Sequence, residues 1–128
     1  MLTTIASIVA GAIGVAIIFI GGRFLIAPRT AAAGYGLPLD PDLQTRSSSP
    51  YPWLYVKGVR DIASGMFIFI LLADRSHLLG PFMAAAALIP AGDAVIVLRN
   101  GGTRAAAFGI HGATATIMLA ASAALLLA

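Results

Sequence analysis

YVKGVRDIASG, residues 55–65, runs through Met66 into FIFILLA, residues 67–73. Three of the chain's few charges, Lys57, Arg60 and Asp61, thus stand at the mouth of one of its most apolar stretches. Read as one membrane-crossing helix, the segment carries Arg60 and Asp61 about 8–9 residues inward, about 12–14 Å at 1.5 Å per residue. A charge at such depth costs about 2.5–3.5 kcal/mol on insertion scales. These side chains must therefore face inward and pair, and the rest of the chain has to supply their surroundings.

The composition agrees with that setting. Hydrophobic residues make up 59% of the 128-residue chain and charged residues only 10%, against about a quarter in a soluble domain. Mean hydropathy is +0.95. Cysteine is absent, which removes disulfides and thiolate metal sites. Glutamate is absent as well, so all the acids are Asp. The net charge of +3 is not gathered in a run; the basic residues lie near the ends of apolar segments, which favours a membrane over a nucleic acid as partner.

Four apolar segments, about 3–27, 52–73, 79–98 and 105–127, each approach the ~20 residues that cross a bilayer core of about 30 Å. The predicted fold is all-α: an integral membrane bundle of four transmembrane helices, one domain over residues 1–128. The first segment lacks a basic leader and is long for a signal peptide, so it is expected to remain as a helix. Residues 28–51, PRTAAAGYGLPLDPDLQTRSSSPY, hold four prolines and two glycines and read as a surface loop. DRSHLLGP (74–81) and RNGGTR (99–104) are short enough to make their flanking helices antiparallel neighbours. Stripes of small residues, Ala6–Ala10–Gly14, Ser7–Gly11, Ala105–Gly109–Ala113 and Gly112–Thr116–Ala120, predict where helices touch closely.

Arg29, Arg46, Arg99 and Arg104 fall on one side, with Arg23 and Lys57 just inside it, and Arg75 alone on the other. The Lys/Arg bias makes 28–51 and 99–104 cytoplasmic and puts both termini outside the cytoplasm of a multi-pass cell-membrane protein. Tyr51, Trp53 and Tyr55 then become interfacial anchors.

The buried-charge argument recruits further residues. Lys57 and Asp61 are four apart on a helix and can pair; Arg60 points elsewhere and is expected to meet Asp93 or Asp61. Asp93 and His111 are placed symmetrically about the 99–104 turn, so an antiparallel hairpin brings them to the same depth; His111 is expected to pair with an Asp. Pro90 and Gly92 predict a bend beside Asp93, a break tolerated where a helix lines a cavity. Arg23, Lys57 and Arg60 against Asp61 and Asp93 leave a residual of +1, which an anionic or electron-rich ligand group would complement. The opposite half of the bundle is dry. His77 belongs to a solvated turn, and no zinc, haem, phosphate-loop or nucleophile signature occurs, so no metal and no cofactor are expected.

APRTAAAGYGLP (27–38), YVKGVRDIASG, PAGDAVIVL (90–98) and the HG pair at 111–112 together resemble a family of small bacterial and fungal membrane proteins catalogued as a domain of unknown function. Its layout is distantly similar to that of the DoxX-like four-helix proteins. The resemblance covers nearly the whole chain and implies a four-helix fold and a shared site. Arg29, Lys57, Arg60, Asp61, Asp93 and His111 match the family's characteristic polar positions. No reaction comes with it.

The function expected is a pocket in the cytoplasmic half that binds, and by acid–base chemistry converts, a small lipophilic or anionic molecule. Asp93 and His111 would handle protons with Asp61 completing the catalytic set, while Arg60, Lys57, Arg23 and Arg29 would hold the ligand. Two alternatives stay open: a small proton-coupled transporter, dimeric in the manner of other four-helix exporters, and an accessory subunit of a membrane complex. A through path of polar groups would favour the transporter; a solidly packed cluster would favour the accessory role.

Overall fold

The computed structural model describes residues 1–37 and 52–127; the expectations for Tyr51 and Arg46 lie outside them. The described residues form helices and turns with no strand among them. Helix α1 spans Leu2–Ile26, α2 Pro28–Tyr35, α3 Pro52–Ala73, α4 Leu79–Ala86 and α5 Leu88–Arg99. A short α6, Arg104–Ala106, leads through a π-helical turn, Ala107–Gly112, into α7, Ala113–Leu127. Three stretches are long and apolar enough to cross a membrane: Leu2–Ile26, Leu79–Arg99 and Arg104–Leu127. Ile8, Val15, Phe19, Val95, Ile117 and Leu119 lie exposed along them. In water such surfaces would associate; against acyl chains they are at rest, and they mark a membrane protein. Helix α3 is 22 residues long but carries Lys57, Arg60 and Asp61.

The first eight residues of the predicted 28–51 loop form α2 instead. Pro28 ends α1, because it offers no N–H, and then begins α2 at a position where none is needed. Gly36 closes α2 in the left-handed region, φ 93°, which a Cβ disfavours. The predicted helix 79–98 is divided at Ala87. Pro90 has no amide for the Ala86 carbonyl, so the hydrogen-bond ladder is interrupted. Ala87 still donates to Met83 (3.0 Å) and Ala91 to Ala87 (3.1 Å), which carries the axis onward into α5.

Helices α1 and α3 run antiparallel along most of their length, and glycine makes this possible. A Cβ on Gly21 would lie 2.6 Å from the Gly58 carbonyl oxygen, and one on Gly65 would lie 2.7 Å from that of Gly14. Residues 14 and 21 thus face 65 and 58 in matched register. Helices α4 and α7 pack together, joined by the Ser122 hydroxyl donating to the Gly80 carbonyl at 2.7 Å. Contacts between α1 and α7 and between α3 and α4 complete a ring.

The small-residue expectation holds for α1, where Ala6, Ala10 and Gly14 are buried. It fails for the last helix: Ala105, Gly109, Thr116 and Ala120 are exposed. There His111, Ala115, Met118 and Ser122 face inward, and the space beside them is filled by bulk rather than by close backbone approach.

Two packed clusters lie inside the ring. One joins Phe24, Ala31, Tyr35, Leu54, Val97 and Ala107 near the 99–104 turn. The other joins Ala10, Ile68, Leu79, Met83, Met118 and Ala121 towards the opposite end. Phe24 and Tyr35 from the first, and Ile68 and Met118 from the second, bound a cavity between them.

Candidate functional site

Each wall of this cavity has a reason in the local sequence. Helix α3 buries the stripe Leu54, Lys57/Gly58, Asp61, Gly65 and Ile68, the i, i+3/i+4, i+7 pattern of one helical face. The glycines of that stripe admit α1, and the polar members turn into the cavity. Helix α2 reaches the same space because its C-terminus docks on the 99–104 turn. A Cβ on Gly36 would collide with Ala106, and one on Gly102 with the Gly36 carbonyl. The Gly102 amide, in turn, donates to Val97 at 2.9 Å. Tyr35 is thereby set over the π-helical turn that carries His111.

The cavity measures about 290 Å³, near the lower end of the roughly 300–1,000 Å³ common for small-molecule sites. Arg23, Tyr35, Lys57, Asp61, Ser64, Asp93, His111 and Thr114 supply its polar lining. Ile17, Ile20, Ile68, Ile89 and Met118 are among its apolar walls.

Lys57 is the centre of the polar end. Its ammonium lies 2.5 Å from Asp61 Oδ2 and 3.9 Å from Asp93 Oδ2. It also stands 5.1 Å from the centre of the Phe24 ring and 4.9 Å from that of Tyr35, within the range where a desolvated cation gains from an aromatic face. Phe24 and Tyr35 meet edge to face at 6.0 Å, and Tyr35 and His111 at 4.6 Å. Burial first, and then the neighbouring Asp93 carboxylate, raises the Tyr35 phenol above its ordinary value, so it stays protonated. His111 Nε2 lies 2.9 Å from the Tyr35 carbonyl oxygen. A carbonyl can only accept, so Nε2 carries the hydrogen and Nδ1 is the basic nitrogen of the neutral ring.

Lys57, Asp61, Asp93 and His111 are thus brought together, all buried. The i,i+4 pairing of Lys57 with Asp61 is present, and Asp93 and His111 line one cavity as the matched depth predicts. Three expectations change. His111 bonds to a backbone carbonyl instead of an Asp, because α2 fills the place beside it. Arg60 does not enter the interior: its side chain is 48% exposed, with Nε 3.8 Å from Asp61 Oδ1, since the glycine face of α3 is given to α1 and residue 60 lies off it. The residual positive charge is therefore not buried. Lys57 alone faces two carboxylates inside, while Arg23 is exposed at the cavity's lip and Arg29 is exposed outside its lining.

Tyr35 is the functional residue that sequence reasoning missed. The signal was Pro28 and Gly36 bracketing eight residues, a helix start and stop within a presumed loop. Trp53 is exposed, as an interfacial anchor would be. His77 is exposed in its turn. Among the described residues no group of three or more His, Cys, Asp or Glu could hold a metal ion.

A family model described as "Domain of unknown function (DUF4267)" matches residues 14–126. No curated protein and no solved structure matches the chain. The likeness in layout to the DoxX-like proteins therefore rests on the sequence pattern alone.

Proposed function

From a chain that belongs to this domain-of-unknown-function family, and so inherits no reaction, we propose a four-span membrane protein that binds a small lipophilic molecule in its central cavity. Asp93 and His111 are the groups placed to exchange protons with it, Lys57 and Asp61 form the paired floor, and Arg23 guards the lip. Arg60, anchored to Asp61, steadies that floor from outside. The carrying observation is a cavity of about 290 Å³ whose walls are mostly apolar and whose one polar end holds the buried ionisable side chains of Tyr35, Lys57, Asp61, Asp93 and His111.

The register of α3 against α1 supports the fourth span. Gly58 and Gly65 are tied to Gly21 and Gly14, so α3 follows α1 through whatever depth α1 crosses. Lys57 and Asp61 neutralise each other within the bundle, and Arg60 is long enough to extend its guanidinium towards the interface. With an even number of spans both termini share a side, and the Lys/Arg bias places them outside the cytoplasm of the cell membrane.

The packed cluster of Ala10, Ile68, Met83 and Met118 closes the far end of the cavity. That favours a one-ended pocket, suited to binding and proton transfer, over a transport path. The test is extraction of lipophilic compounds from protein purified in nanodiscs, followed by mass spectrometry. A compound enriched with the wild type and with Val95→Phe, an exposed site, but lost with Ala86→Phe, which fills the cavity, supports the reading. Equal recovery from both variants sinks it, and a substrate-linked proton flux in sealed vesicles would replace it with transport.

A further inference from the structure

The polar end of the cavity is short of one kind of partner. Most of its side-chain donors are engaged within the protein, and the Lys57 ammonium, beyond its bond to Asp61, faces the Phe24 and Tyr35 rings. Ser64 donates to the Arg60 carbonyl at 2.9 Å and Thr114 to the Ile110 carbonyl at 2.7 Å. His111 Nε2 donates to the Tyr35 carbonyl and Lys57 to Asp61, while the Tyr35 phenol keeps its proton beside Asp93. What remains is acceptor capacity: oxygens of Asp93, the hydroxyl lone pairs of Ser64 and Thr114, and His111 Nδ1. A hydroxyl that has given its hydrogen to a carbonyl still accepts, and a carboxylate has about four lone-pair sites.

We propose that the molecule held in this cavity presents a hydrogen-bond donor, a hydroxyl or an ammonium, to the Asp93–His111–Thr114 end, and not the anionic group that a count of the charged residues suggests. The inference rests on the reading of the cavity as a ligand site. It follows from where the arginines lie. With Arg60 turned outward, the buried charges are one Lys57 against Asp61 and Asp93, so a carboxylate or phosphate brought to this end would meet like charge. A buried acceptor facing an apolar or acceptor group goes unpaired, which penalises ligands that lack a donor. Arg23 is the exception among the lining residues; it stands exposed at the lip, and among the described residues no carboxylate pairs with it.

The experiment compares four probes of one chain length in nanodiscs of neutral lipid at equal mole fraction: decan-1-ol, decylamine, decyl methyl ether and decanoate. Occupancy is read by native mass spectrometry in competition. Either donor should exceed the ether by about tenfold or more, as one hydrogen bond to a charged acceptor provides; the order of alcohol and amine tells which donor the site prefers. Asp93→Asn, whose amide can itself donate, should narrow the gap between alcohol and ether. Because Asp93 is buried near Lys57, a second variant, Thr114→Val, removes an acceptor without touching the charges and should narrow it as well.

Equal binding of all four probes leaves the cavity reading standing and overturns the donor inference. So does a gap that is unchanged in both variants, or preferred decanoate binding that disappears with Arg23→Gln. Binding of none of the probes overturns the cavity reading, and this inference with it.

Discussion

The His111 ring reaches across 76 positions of sequence to donate to the Tyr35 backbone carbonyl at 2.9 Å. This single bond ties α2 to the π-helical turn and fixes which imidazole nitrogen is basic. His111→Ala leaves a buried carbonyl without its partner, which costs about 1–3 kcal/mol. The loss should be concentrated in α2: amides of residues 31–36 should exchange with deuterium faster, while those of α4 and α7 keep their protection. Uniform loss of protection would show that the bond supports the whole bundle instead.

The approach of Gly21 to Gly58 predicts a sharp contrast between adjacent residues. Gly21→Ala sets a methyl 2.6 Å from a backbone oxygen, which cannot yield as a side chain can, so overpacking should cost about 1–3 kcal/mol. At Gly22 nothing lies within 4 Å, and Gly22→Ala should be neutral or gain up to about 1 kcal/mol of helix propensity. Thermal unfolding midpoints in one detergent check both. Equal midpoints would mean that the helices part easily at this crossing.

These contacts show how far the sequence could be read. Apolar run length located α1, α3 and the last span, α6 through the π-helical turn to α7, within a residue or two, because membrane thickness imposes it. The i,i+4 spacing of Lys57 and Asp61, and the symmetric placing of Asp93 and His111 about a tight turn, were legible for the same reason: both follow from helix geometry alone. Two features did not. Whether Arg60 faces in or out depends on which face of α3 the glycines of α1 occupy, and that is a property of two helices together. Tyr35 sits among turn-forming residues, and its place over His111 is decided by the close approach of Gly36 to Ala106, far apart in sequence.

Lys57 and Asp61 offer a test of coupling. Their side chains are 9% and 8% exposed, so removing one partner strands a charge in a low-dielectric interior. Lys57→Met should destabilise the protein by about 3–5 kcal/mol, and Asp61→Leu by a similar amount. The double variant should lose less than the sum, because neither member of the pair is then left facing a missing partner and only Asp93 has lost its cation. Asp93 sharpens the expectation: it lies 3.9 Å from Lys57, so the lysine variant should be the worse of the two single changes. Additive losses in chemical unfolding would mean that the pair is not coupled.

The Tyr35 phenol carries a pH signature. Burial and the neighbouring Asp93 raise it above the ordinary tyrosine value of about 10. The folded protein therefore holds a proton that the unfolded chain would release above that pH. The stability linked to this group is fully present below about pH 10 and declines as the pH rises further. Phenolate absorbance should rise identically in the wild type and in Tyr35→Phe for as long as both stay folded. The wild type should gain its additional phenolate only in step with unfolding, followed by circular dichroism on the same samples. If the wild type exceeds the variant while the helices are intact, Tyr35 ionises in place, and burial beside Asp93 does not keep its proton on.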